Sequence, residues 1–299
     1  MAYDEGKKPM QTLTVAPPVP FVLPPSQLIQ IGLVGCGGTG SHLALALARI
    51  AYHVQAQGGP PLALTFIDGD RVERHNIGRQ LFTAREISHP KAQVLADRLN
   101  AALGLRIAAV SAMATTDLFG ELQPGYQTIG ILVGAVDTAS GRRAMHEALT
   151  RSRWRLWLDV GNEHNWGTVT LGSTTDPRDL HGAMALGGIC TALPAPSLRY
   201  PHLLDDAPIQ PRADCAHAAA DGAQSLIINQ AMAAIASHYV YQLVVARQIT
   251  TCETALDLAT LTMSSTPITA ASIAEASGLT LADVTTRPET ITQRKGSHL

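Results

Sequence analysis

Apolar and polar positions along this chain fall into short blocks of two kinds. Residues 29–34 form a β-branched apolar run, which predicts a buried strand. Glycines punctuate 35–40, and the Ala/Leu-rich stretch 41–57 predicts a helix stopped by Gly58, Gly59, Pro60 and Pro61. Residues 62–67 predict a second strand and 105–110 a third. Between them 91–103 predicts a helix with Leu95, Leu99 and Leu103 on one face. A strand at 128–133, a helix at 141–149 and strands at 156–160 and 167–171 continue the series. Strands alternating with helices predict an α/β fold with a mostly parallel central sheet flanked by helices.

The flanking segments read differently. Residues 1–27 form a Pro-rich N-terminal arm, in which a short strand at 11–15 is compatible with the pattern. Residues 172–215 carry six prolines and little periodicity, and predict a mobile crossover connection. A long, broadly apolar and therefore buried helix is predicted over 223–248. Residues 256–284 predict one strand and one or two short helices, and 287–299 a polar tail. One domain over 28–286, with an arm and a tail, accounts for this layout.

Composition narrows the class. Hydrophobic residues make up 46% and charged residues 15%, enough for a large core. Lys and Arg number 22 against 24 Asp and Glu, so a strongly basic nucleic-acid binder is excluded and no nucleic-acid partner is expected. Cys36, Cys190, Cys215 and Cys252 lie far apart without a CxxC pair. That excludes a disulfide scaffold and a four-cysteine zinc site, and suits a reducing compartment. No apolar run is long enough to span a membrane and no signal peptide is apparent, so a cytoplasmic chain is expected.

Four local patterns carry chemistry. Gly35-Cys36-Gly37-Gly38-Thr39-Gly40 follows a strand and opens a helix, the context in which a GxGxxG loop brings backbone N–H groups to a phosphate. Asp68, at the end of the second predicted strand, can accept both ribose hydroxyls, which suits NAD and ATP alike. Asp70, Val72, Asn76, Arg79 and Gln80 follow it; such a compact polar set suits a nucleoside triphosphate better than hydride transfer, because its phosphates need cations. Lys91 opens a helix, a position the helix dipole disfavours unless a polyphosphate lies there. Asp137 stands past a central strand, a candidate to hold Mg²⁺, with Thr138 beside it to cap the next helix, which carries Arg142.

In this order the pieces Gly35, Gly37, Gly38, Gly40, Asp68, Asp70, Val72, Asn76, Arg79, Gln80, Lys91 and Asp137 resemble the ThiF/MoeB/ubiquitin-activating-enzyme superfamily. The resemblance covers about 28–245, and the fit is nearest to the ThiF-related proteins of the plasmid cassette known as PRTRC. It implies a Rossmann-like ThiF-type adenylation domain. It implies an ATP-dependent adenylyltransferase that activates the C-terminal carboxylate of a small ubiquitin-like or sulfur-carrier protein ending in Gly-Gly. It also implies a homodimer. By motif match Asp68 would hold the ribose, Asn76, Arg79 and Lys91 the phosphates, and Asp137 Mg²⁺. Two departures stand out: no Arg precedes Arg49 in the Pro-rich arm, so the family's arm-arginine contact to a partner's site is not expected, and no CxxC pairs exist, so no zinc is expected.

Some relatives pass the acyl group to a cysteine. Cys215, ahead of the long predicted helix and followed by His217, matches that place, and Cys190 in the same connection is the second candidate. Cys36 reads as a small apolar filler and Cys252 as structural. The competing function is a nucleotide-binding regulatory or scaffold module of the same fold without activating chemistry.

Overall fold

The computed structural model describes residues 17–206 and 226–286. Strand β2 (Leu28–Val34) lies inside the sheet, with β3 (Leu62–Ile67) and β5 (Thr128–Gly134) paired parallel on either side. β4 (Ala108–Val110) extends the β3 side and β6 (Trp154–Asn162) the β5 side, again in parallel. Beyond β6 the direction reverses, and β7 (Trp166–Gly172), β9 (Thr251–Asp257) and β10 (Thr262–Pro267) complete an eight-stranded sheet by antiparallel pairing.

Successive side chains of a strand point to opposite faces, and both faces of β2 are covered. Ile29, Ile31 and Leu33 belong to one apolar cluster, while Val34 joins another with Ile67 and Leu132. The first cluster takes the apolar stripe of α1 (Gly38–Ala56), where Leu43, Leu47, Ala51 and Val54 recur at helical spacing. It also takes α2 (Lys91–Leu103) through Leu95 and Leu99, and α6 (Leu226–Tyr241) through Ile228 and Met232. Gly104, left-handed at φ 66°, ends α2. The second cluster packs α3 (Thr116–Glu121) and α4 (Ala139–Arg151) on the other face through Phe119, Met145 and Ala148. Trp154 and Trp157 are buried there, and the Trp154 indole N–H donates to the Phe119 carbonyl at 3.2 Å.

The expected strands and helices of residues 28–172 recur in this layout, with α3 added. Residues 256–284 hold one full strand, β10, and two short helices, α7 (Ala270–Ser277) and α8 (Leu281–Thr285), as expected, while β9, its antiparallel partner, begins earlier and was not anticipated. Three expectations need correction. The helix expected over 223–248 ends earlier: α6 stops at Tyr241 and passes through one π turn to Arg247, left-handed at φ 60°. The end of the arm is part of the fold, since β1 (Phe21–Val22) pairs with β8 (Gln248–Ile249) and buries Phe21 and Leu23. The described part of the connection is packed rather than loose, with α5 (Pro196–Arg199) and the buried Leu180, Leu193 and Ala195. The strand at 11–15, the tail and Cys215 lie outside the described residues.

No described helix is long and apolar enough to cross a membrane.

Candidate functional site

A cleft of about 370 Å³ opens at the carboxyl ends of β3, β2, β5 and β6. The chain leaves β2 for β3 on one side and later returns to β5 on the other, so the cleft lies at the switch point of a doubly wound sheet. The glycine loop forms its floor. Gly35 is left-handed at φ 88°, and a Cβ there would come within 2.6 Å of the Ala135 carbonyl. A Cβ at Gly40 would stand 1.9 Å from the Gly35 carbonyl, so the strand and α1 close up only because both residues are glycine. Gly37 and Gly38 line the cleft at the start of α1. No side chain caps that helix and no acidic residue occupies its first turn, which leaves N–H groups turned to an anion.

The three carboxylates here have different occupations. Asp68 accepts the Cys36 N–H at 2.6 Å and the Asp70 N–H at 2.7 Å, pinning the glycine loop to the end of β3. Burial pushes its carboxyl above the usual carboxylate range, against the pull of those two N–H groups. Asp70 pairs with Lys91 Nζ at 2.9 Å. The Lys91 side chain, expected at a helix start, is only 8% exposed and reaches across to the cleft. The Asp137 carboxylate makes no hydrogen bond or ion pair with any described residue. Thr138 caps α4, accepting the Gly141 N–H at 3.3 Å, so Asp137 is not needed for the cap.

On the facing wall Arg79 also has no side-chain partner among the described residues. Gln80 places a buried Oε1 there without a hydrogen bond, and its Nε2 lies above Gly37. The cleft therefore offers a helix N-terminus, one unpaired guanidinium and one unpaired carboxylate. A Mg²⁺ that arrives with phosphates takes only one or two carboxylates from the protein, and Asp137 is free to be one. No group of three His, Cys, Asp or Glu side chains suited to a metal occurs among the described residues.

Gly35, Gly37, Gly38, Asp68, Asp70, Arg79, Gln80, Lys91, Asp137 and Thr138 thus meet in one cleft. Asn76 is not among its walls: it is buried, and its Oδ1 accepts the Glu73 N–H at 2.8 Å in a capping box. Cys190 lies away from the cleft beside the arm, with its N–H on the Pro20 carbonyl and its thiol donating to the Ala192 carbonyl at 3.1 Å. It is 2% exposed and burial pushes its thiol up to about 12, a poor setting for a nucleophile. Cys36 and Cys252 are buried.

Three more polar residues stand in the walls: Arg142, on the helix after Asp137 as expected, Asn162, at a strand end that the sequence places near the crevice, and Asn229, which sequence reasoning missed. Arg142 Nε lies 3.2 and 3.3 Å from the two oxygens of the buried Asp159. Asn162 Nδ2 donates to Asn229 Oδ1 at 3.1 Å, and the Thr39 hydroxyl lies 3.0 Å from both Oδ1 atoms. Nothing in the sequence announced the pairing of Arg142 with Asp159 or of Asn162 with Asn229.

The model of the ThiF family matches residues 27–271. No curated protein matches the sequence. Among solved structures, Escherichia coli MccB with ATP superposes with a TM-score of 0.52 at 13% identity, over 80% of this chain and 64% of that one. The microcin C7 biosynthetic enzyme MccB in complex with N-formylated MccA gives 0.54 at 13% identity, over 80% and 64%. PaaA gives 0.49 at 19% identity over 80% and 64%. This chain thus spans just under two thirds of the length of these structures. The chain belongs to the ThiF family.

Proposed function

We propose that this ThiF-family chain is an ATP-dependent adenylyltransferase. It would activate the C-terminal carboxylate of a small ubiquitin-like or sulfur-carrier protein ending in Gly-Gly, forming an acyl-adenylate. The observation that carries the reading is the unpaired set in one cleft: the open N-terminus of α1, Arg79 and Asp137. The likeness to MccB supports the fold, and that protein has been crystallised with ATP.

In this reading Asp68 accepts the ribose hydroxyls, and the N–H groups at Gly37 and Gly38 take a phosphate. Arg79 and Lys91 offset charge on the remaining phosphate oxygens. Asp137 would hold Mg²⁺, which supplies countercharge to the triphosphate when bound. The substrate carboxylate forms a bond to the α-phosphorus, the bond from that phosphorus to the bridging oxygen breaks, and pyrophosphate leaves with the electron pair. No proton moves, so the protein needs no general base and contributes position and charge. Homodimer formation and a later thioester on Cys215 belong to the same proposal, and the buried Cys190 is set aside as an acceptor.

ATP–pyrophosphate exchange with carrier proteins ending in Gly-Gly tests it. Asp137→Ala and Arg79→Ala should each lower exchange about a hundredfold or more. Exchange unchanged in both variants refutes the residue assignment. ATP binding without exchange selects the regulatory module instead.

A further inference from the structure

A second hollow, of about 580 Å³, opens at the amino ends of β5 and β6, bounded by the end of the arm and by residues 189–192. The nucleotide cleft lies at the carboxyl ends of the same strands, and the two share no lining residue. The buried Phe21, Leu23, Ile129 and Leu156 and the exposed Ile189 give the hollow apolar walls. Its charged lining residues are Arg155 and Asp179.

Local backbone geometry explains why Arg155 stands there. Trp154 pairs with Gly130 and Leu156 with Ile131, so Arg155 is the extra residue of a bulge, without a partner on β5. A bulge re-aims its side chain. The Arg155 guanidinium lines the hollow and makes no hydrogen bond or ion pair with any described residue. The antiparallel register of β6 on β7, with Trp157 opposite Gly172, runs on to set Thr174 opposite Arg155. The Thr174 hydroxyl donates to Asp179 Oδ2 at 2.7 Å, which steadies that carboxylate and leaves Oδ1 without a partner among the described residues. On the same walls the Ser26 hydroxyl is buried with no hydrogen-bond partner.

A guanidinium and a carboxylate thus share one apolar hollow without pairing to each other. A simple carboxylate would meet Asp179 as a like charge, and a simple amine would meet Arg155. A zwitterion satisfies both, and the walls suit a hydrocarbon body.

We propose that this hollow binds a free apolar α-amino acid. Its carboxylate sits on Arg155, its ammonium on Asp179, and its side chain against Phe21 and Leu156. The site stands apart from the adenylation reading and does not depend on it.

Calorimetric titration of the full chain tests it. The probes are leucine and phenylalanine, their analogues without the ammonium (4-methylpentanoate and 3-phenylpropanoate), and their amides, which lack the carboxylate. At least one of the two amino acids should bind with a Kd of about 1 mM or below, and its two analogues about tenfold or more weakly, the worth of a charge-assisted hydrogen bond. Arg155→Met should weaken the amino acid by a similar factor at unchanged Tm, since the exposed Arg155 has no partner to lose. Asp179→Asn should erase the preference for the amino acid over its analogue without the ammonium. Binding of neither amino acid at that concentration overturns the site. Equal affinity for an amino acid and its analogues, or undiminished affinity in Arg155→Met, overturns the assignment of a zwitterion held by these two charges.

Discussion

Arg142 and Asp159 form an ion pair with side chains 7% and 5% exposed, and its removal gives a measurable consequence. At 3.2 Å the attraction is about 5 kcal/mol with an effective dielectric near 20, largely offset by the cost of taking both charges out of water. Removing only the carboxylate, as in Asp159→Ala, leaves the guanidinium buried and unbalanced, at a cost of roughly 3–5 kcal/mol. Arg142 opens on the cleft, so water reaches one edge of it and about 3 kcal/mol is the better figure. That corresponds to a fall in Tm of about 6 °C or more for a domain of this size. The double variant Arg142→Met/Asp159→Leu removes both charges and keeps the volume, so it should be more stable than Asp159→Ala. Thermal unfolding followed by circular dichroism reads both. A Tm for Asp159→Ala within about a degree of wild type, or additive losses in the double variant, would refute the account of a desolvated, coupled pair.

Two further outcomes follow from burial. In the proposed role an ionised Asp68 accepts two ribose hydroxyls better than a protonated one, and burial raises its carboxyl above 3.8. On acidification it protonates earlier than an ordinary aspartate, so AMP affinity should be full near neutrality and fall with a midpoint above that value, a fall absent in Asp68→Asn. The sign is opposite for the ligand-free fold, which gains stability from Asp68 as pH drops through its raised pKa. A binding midpoint at or below 3.8 contradicts the assignment. Cys190, with its thiol pushed to about 12, should resist iodoacetamide in the native protein at mildly alkaline pH and react only on unfolding. Peptide mapping that finds it alkylated at the rate of a free thiol would remove the argument against it as an acyl acceptor.

The parts of the fold legible in the sequence are those where burial enforces a period. Ile29, Ile31 and Leu33 on β2 and the Leu43–Leu47 stripe of α1 announce themselves because one face of each must leave water. β10 announces itself only as one strand somewhere in 256–284: its TMSSTP sequence is exposed at the sheet edge, so pairing to β9 rather than burial makes it a strand. α3 is only six residues long and falls below the reach of periodicity. At the site, motif residues fixed by backbone geometry, such as Gly35, Gly40 and Asp68, could be read directly. Arg142–Asp159 and Asn162–Asn229 could not, because their partners are brought together by the sheet and by α6 across 17 and 67 positions. Asn76 illustrates the converse. A motif position that suggested phosphate binding is occupied in capping its own turn.

The charges of the cleft bear on what can enter it. Lys91 is already balanced by Asp70 and Arg142 by Asp159, which leaves Arg79 against Asp137 and the partly buried Asp68. The walls are thus close to neutral or slightly negative, although Arg79 and Lys91 both line them. A triphosphate settling here gains from the α1 N-terminus and Arg79 but meets Asp137 head-on. That repulsion reverses only if a cation enters with the phosphates and turns Asp137 from an opposing charge into a ligand. On the same reading the paired lysine would act by geometry: Asp70 fixes its ammonium, so little side-chain entropy would remain to be lost on meeting a phosphate oxygen. On the proposed reaction, loss of pyrophosphate with its countercharge would leave Asp137 unpaired again, and the charge that opposed the incoming triphosphate would then favour release of an anionic product.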